Sequence, residues 1–153
     1  MINITQNKLQ QLYEIDDYLW LEETINLLKT KDLENLDLDN LIEELESLGR
    51  NDLNKVRSLL RQIIIHILLI EYWEQEYERN YHHWRGEIIA FRDDINNHLT
   101  TTLKNKLSQQ LEQIYHVSKK LVIEKTALSP NLLPDDCPYS LEQILDDNWY
   151  PEK

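Results

Sequence analysis

Arg61-Gln62-Ile63-Ile64-Ile65-His66 places an arginine five residues before a histidine. Histidine takes or gives a proton near neutral pH, and arginine holds a phosphate through its planar fork of donors. The pair therefore suits proton transfer beside a held phosphate, with Arg61 and His66 as candidate catalytic residues. Residues five apart on a straight helix point about 140° apart, so the two converge only across a dimer axis or at a helix distortion. The bland alternative is a core histidine bonded to a neighbour, with Arg61 on a solvated or salt-bridged face.

Arg50, Arg57 and Arg61 recur at i, i+7 and i+11 and share one helical face. Glu43, Glu44 and Glu46 stand just upstream, and Glu46 reaches Arg50 at i+4 if a helix runs through Gly49. That stripe is either a salt-bridged face or a site for an acidic partner or a phosphate. His82-His83-Trp84-Arg85 follows Tyr72, Trp73, Tyr77 and Tyr81. Exposed aromatics beside an arginine stack on bases or anchor a protein. Tyr77, Tyr81, Trp84 and Ile88 equally fit a core stripe. The candidate partner surface is thus Arg50, Arg57, Trp84 and Arg85.

No metal or cofactor is expected. A di-metal carboxylate bundle needs Glu-x-x-His pairs, whereas Glu78/His82 and Glu112/His116 stand at i, i+4, and adjacent histidines on a helix cannot face one ion. Cys137, the one cysteine, lies beside Asp135 and Asp136, whose charge raises a thiol's pKa and blunts it. The chain has 2 glycines, where average usage would give roughly 11. Phosphate loops, dinucleotide-binding turns and all-β folds are therefore disfavoured. The balance of 28 acidic to 16 basic residues, a net charge of −12, argues against nucleic acid. No membrane span and no signal peptide is read, so a cytoplasmic protein is expected.

The elements that must position these groups read as helices. Leu21, Ile25 and Leu28 mark a first one from about Asp16 to Thr30, with Thr5 to Glu14 either extending it or forming a separate turn. Asp37 is a plausible N-cap for a second, on which Leu38, Leu41, Ile42, Leu45 and Leu48 form a stripe. Gly49 is placed where a cap or a kink belongs. Asp52 to Glu71 reads as a buried central helix. Trp84 to Leu99 and Leu103 to Thr126 follow, separated by a break or a bend near Thr100. Ala127 to Tyr139 holds three prolines and reads as a loop. Ser140 and Gln143 form a capping box for a short last helix. The expected fold is all-α: an antiparallel up-and-down helical bundle with a Pro-rich C-terminal loop and a short terminal helix. A single domain over 1–153 is expected, with the main bundle at 12–126 and a strap at 127–153, the amphipathic stripes burying one another.

Two resemblances bear on function. The Arg61-to-His66 spacing resembles the catalytic motif of HEPN ribonucleases, which implies metal-independent RNA cleavage. Over about residues 12 to 151 the chain resembles the bacterial domain-of-unknown-function family twenty-nine, common in cyanobacteria. The residues that carry this are Tyr13-Glu14-x-Asp16 with Trp20, Asp37 through Arg50, Trp84-Arg85, and Leu133-Pro134-x-x-Cys137-Pro138-Tyr139 through Leu145. Members usually have Trp at the position of Tyr139. That resemblance implies an all-α bundle and no particular activity. The reading drawn from the residues is a non-enzymatic protein-interaction or regulatory module with a protein partner, a homodimer being one form. The alternative is an HEPN-like ribonuclease using Arg61 and His66.

Overall fold

The computed structural model describes residues 4–152, which are mostly helical and contain no strand. Six helices follow in order: α1 (Ile4–Ile15), α2 (Asp17–Lys29), α3 (Leu38–Tyr72), α4 (Glu74–His98), α5 (Thr101–Thr126) and α6 (Leu141–Leu145). Short 3-10 turns stand at Leu33–Asn35 and Pro130–Leu132. The chain divides into two compact units, one up to Asn51 and one from Asp52 onward.

In the first unit α1 and α2 are separate helices. Asp16 breaks them with non-helical backbone, and its carboxylate accepts the Leu19 N–H at 3.0 Å. That bond satisfies one orphan donor at the start of α2. Lys31 ends α2 in the left-handed region, at φ 59. The Lys31 and Asp32 N–H groups bond back to the carbonyls of Leu28 (3.1 Å) and Leu27 (2.9 Å), a Schellman arrangement. Leu9, Trp20 and Leu36 form the small interior, joined by the buried polar residues Thr24 and Asp37.

Asp37 stands at the start of α3, its carbonyl accepting the Leu41 N–H at 3.0 Å. Its carboxylate does not cap the helix as the sequence suggests. Oδ2 instead accepts the Trp20 indole N–H at 3.1 Å and the Asn40 amide at 2.6 Å. Gly49 neither ends nor caps this helix: α3 runs 35 residues without interruption.

The second unit is the antiparallel bundle. Trp73 alone separates α3 from α4, and Leu99 and Thr100 separate α4 from α5. Connections that short make successive helices antiparallel neighbours. The α4–α5 junction is a true break: Leu99 is extended, and the Thr100 hydroxyl accepts the Leu103 N–H at 3.2 Å. Ile63 to Ile70 of α3 is buried except at His66, as a central helix requires. It packs with Trp84, Ile88 and Ile95 of α4 and Leu107, Ile114, Tyr115 and Val122 of α5. The C-terminal segment closes onto this core through Leu133, Tyr139, Leu141 and Ile144, with Trp149 and Tyr150 half-buried against it. Ser140 and Gln143 form the full capping box of α6. The Tyr115 hydroxyl donates to the Pro134 carbonyl at 2.5 Å, and the Tyr139 hydroxyl donates to Glu71. No helix among the described residues is long and apolar enough to cross a membrane.

One expectation about packing fails. Leu21, Ile25 and Leu28 of α2 are exposed, as are Leu38, Ile42, Leu45 and Leu48 of α3. The reason is which side of α2 won the interior. Trp20 and Thr24 are buried and Leu27 is half-buried, at i, i+4 and i+7. The large indole, with a buried hydrogen bond available at Asp37, displaced the aliphatic stripe to the outside.

Candidate functional site

The residues singled out for catalysis lie on α3. His66 is half-buried, its Nδ1 2.7 Å from the Gln62 carbonyl and its ring centroid 5.6 Å from that of Phe91. Burial lowers its pKa below the usual value, against the opposing pull of the Gln62 carbonyl and Glu87. Arg61 is half-buried too, and its Nε has no hydrogen-bond partner. The helix between them is regular, so their side chains leave it about 140° apart. One copy of the chain does not bring them together.

The candidate partner surface separates into unlike parts. Arg50 bonds Glu43 (2.8 Å) and Ser47 (2.8 Å) and stands 3.8 Å from Glu46. The three charged groups are well exposed, so the ion pairs contribute little. Arg57 is half-buried. Trp84 is no surface residue: it is 3% exposed and stacked on Trp73 at 5.8 Å between centroids. Its place on the α4 core stripe with Ile88 and Ile95 accounts for this. Arg85 is half-buried, its guanidinium carbon 3.9 Å over the centre of the Tyr150 ring and its Nη1 donating to the Tyr81 hydroxyl at 3.0 Å.

Arg92 escaped sequence reasoning. It is fully buried, donating from Nε to the Ile144 carbonyl at 2.8 Å and from Nη2 to the Gln143 carbonyl at 3.3 Å. It thereby binds the last turn of α6 to α4. Nη1 has no partner. The signal was present: Arg92 stands four residues after Ile88 and three before Ile95, at a core position of the helical period. A cleft of about 440 Å³ opens beside it, lined also by Arg85, Ile89, Asp93, Asn96, Asp147, Asn148 and Tyr150.

Around the strap, Glu112, His116 and Asp136 bring one possible metal-ligand atom each to within 4.8 Å of one another. All three are exposed, and two already hold the strap. Glu112 accepts the Cys137 N–H at 3.1 Å, and His116 Nε2 lies 3.0 Å from the Asp135 carbonyl. Burial, more than Glu112, pushes the half-buried Cys137 thiol up, and its sulfur lies 3.3 Å from the Tyr139 carbonyl. Asp135 and Asp136, which precede it in sequence, are not among the causes.

The first unit carries the other candidate, an apolar face. On α2, Tyr18 joins Leu21, Ile25 and Leu28, and on α3, Leu38, Ile42, Leu45 and Leu48 recur at i, i+4, i+7 and i+10. Leu45 and Leu48 are 59% and 60% exposed. α2 comes close to α3 at Glu44, with which Tyr18 and Leu21 share a cleft of about 150 Å³. Tyr13 ties them further, donating to Glu44 at 2.7 Å and meeting Trp20 edge to face at 5.0 Å. The Glu44 bond pushes the Tyr13 phenol up to about 12.

The family Domain of unknown function DUF29 matches residues 12–150, most of the chain. The chain belongs to this family. No curated protein and no solved structure matches it. The DUF29 span runs from within α1 to Tyr150, so it contains both the apolar face of the first unit and the arginine-lined cleft of the second.

Proposed function

We propose that this DUF29 protein is a protein-interaction module whose docking surface is the apolar face of α2 and the first half of α3. The observation that carries this is the unpartnered stripe itself. Helical stripes of Leu and Ile are normally turned into a core, and a contiguous exposed one marks an interaction site. The occupant is a basic amphipathic helix of another protein. Residues 1–51 hold twelve acidic and four basic side chains. Asp17, Glu22, Glu23, Asp39, Glu43 and Glu46 are exposed on the two helices that carry the stripe. A second copy would set this acidic surface against its own kind. A helix with an apolar stripe edged by lysine or arginine meets both features, in the helix-in-groove manner.

The test uses the full chain and a synthetic Leu/Lys amphipathic helix of roughly five turns, with fluorescence anisotropy as readout. The Leu/Lys helix is expected to bind, less tightly as salt rises, and a Leu/Glu helix is expected not to bind. Burying a leucine is worth about 1.5–3 kcal/mol, so Leu45→Asp should weaken binding about 10- to 100-fold even though it adds negative charge. Equal binding by the variant would overturn the proposal. So would a dimeric mass for the free chain that Leu45→Asp makes monomeric, which assigns the face to a second copy.

A further inference from the structure

We propose that the cleft between α4 and the C-terminal segment binds a small zwitterion, an ammonium carboxylate of amino-acid size. The site lies wholly within the second unit and is independent of the docking face. Its volume of about 440 Å³ falls within the range of small-ligand pockets. Its charges are sorted by depth: Arg92 is fully buried and Arg85 half-buried, while Asp93 and Asp147 are exposed. None of the ion pairs among the described residues involves any of these four side chains.

Arg92 spends two nitrogens on the α6 carbonyls, and its third, Nη1, has no partner. A buried donor without a partner is uncommon in a folded protein. Tyr150 fixes the other cation, lying 3.9 Å beneath the Arg85 guanidinium carbon and 5.1 Å from that of Arg92. A carboxylate in the cleft would take short, charge-assisted bonds from the half-buried Arg85, with the buried positive charge of Arg92 behind it. The aspartates settle the rest of the ligand. A simple anion would meet the arginines but face Asp93 and Asp147 unpaired. A simple amine would meet the aspartates and face the arginines. A molecule carrying both groups pairs with both sets. The exposed aliphatic side chain of Ile89 on the same wall gives the ligand's hydrocarbon portion a contact.

Four probes of known chemistry separate these cases by calorimetry on the full chain: L-leucine, 4-methylpentanoate, 3-methylbutylamine and inorganic phosphate. The first three share one aliphatic body and differ in charge. L-leucine is expected to bind at least about tenfold more tightly than either single-charge analogue or phosphate, the loss of one charge-assisted bond being worth that much. Asp93→Asn, at an exposed residue, should weaken leucine binding by about the same factor with the helical melting curve unchanged, and Arg85→Met should weaken it likewise with the far-UV helical signal retained. Binding of 4-methylpentanoate or phosphate as tight as that of leucine would overturn the proposal in favour of a plain anion site. The absence of leucine-dependent amide shifts in residues 85–96 and 147–150 at millimolar concentration would overturn it outright.

Discussion

Replacing Asp37 by alanine removes the acceptor that holds Trp20 inside the first unit. Trp20 is 1% exposed and its indole N–H points at Asp37 Oδ2, 3.1 Å away. The same oxygen accepts the Asn40 amide at 2.6 Å. An indole N–H left buried and unpaired costs about 1–3 kcal/mol. The lost Asn40 bond adds roughly 1 kcal/mol, since that amide is half-buried and water can replace its partner. Removing a buried carboxylate whose other oxygen, Oδ1, has no partner returns part of this. Asp37→Ala should therefore destabilise by about 2–3 kcal/mol, measured by urea unfolding followed by circular dichroism. In a Trp20→Phe background, which has no indole N–H to strand, the same substitution should cost at least about 1 kcal/mol less. Equal costs in the two backgrounds would refute the idea that this bond fixes α2 against the start of α3. A cost of Asp37→Ala below about 0.5 kcal/mol would refute it as well.

Gly49 sits inside α3 with nothing within 4 Å of where a Cβ would stand. Gly49→Ala should therefore stabilise by about 0.5–1 kcal/mol in the same urea assay. His66 has a folded pKa lowered by burial, so folding favours its neutral form. Its stabilising contribution is complete above the unfolded value of about 6.5 and is lost as pH falls through that value toward the lower folded one. Unfolding free energies at pH 7.5, 6.5 and 5.5 should fall less steeply with acidification for His66→Gln than for the wild type. Leu45→Asp should cost no more than about 1 kcal/mol, because the side chain is 59% exposed in the folded chain, whereas Leu60→Ala in the core should cost about 2–5 kcal/mol.

Much of the fold is legible in the sequence because local signals and tertiary packing agree there. Ser140 with Gln143, the prolines after Ala127 and the wide apolar face from Val56 to Leu68 each have one physical outcome. Asp37 shows where this stops. Its position at a helix start follows from local pattern, but a buried indole competed for its carboxylate, and only the tertiary structure brings Trp20 to it. Gly49 misleads for a related reason: glycine is a helix stop only where the chain needs a left-handed residue, and that need arose at Lys31 and Ala127 instead. The site was less legible. Arg61 and His66 are conspicuous by type, and a regular helix keeps them apart. Arg92 is conspicuous only by its place in the helical period, and its partners come from 51 and 52 residues away. The stripes on α2 and α3 are plain in the sequence, but periodicity alone cannot say whether a stripe faces its own core or a partner.

Hydrogen exchange of the full chain with and without the basic Leu/Lys helix tests the docking face most directly. The expected result is slowed exchange confined to the two stretches 17–29 and 38–50, reduced by Leu45→Asp at the same probe concentration. Protection at residues 85–96 and 147–150 instead, or an exchange pattern identical with and without the probe, would contradict it.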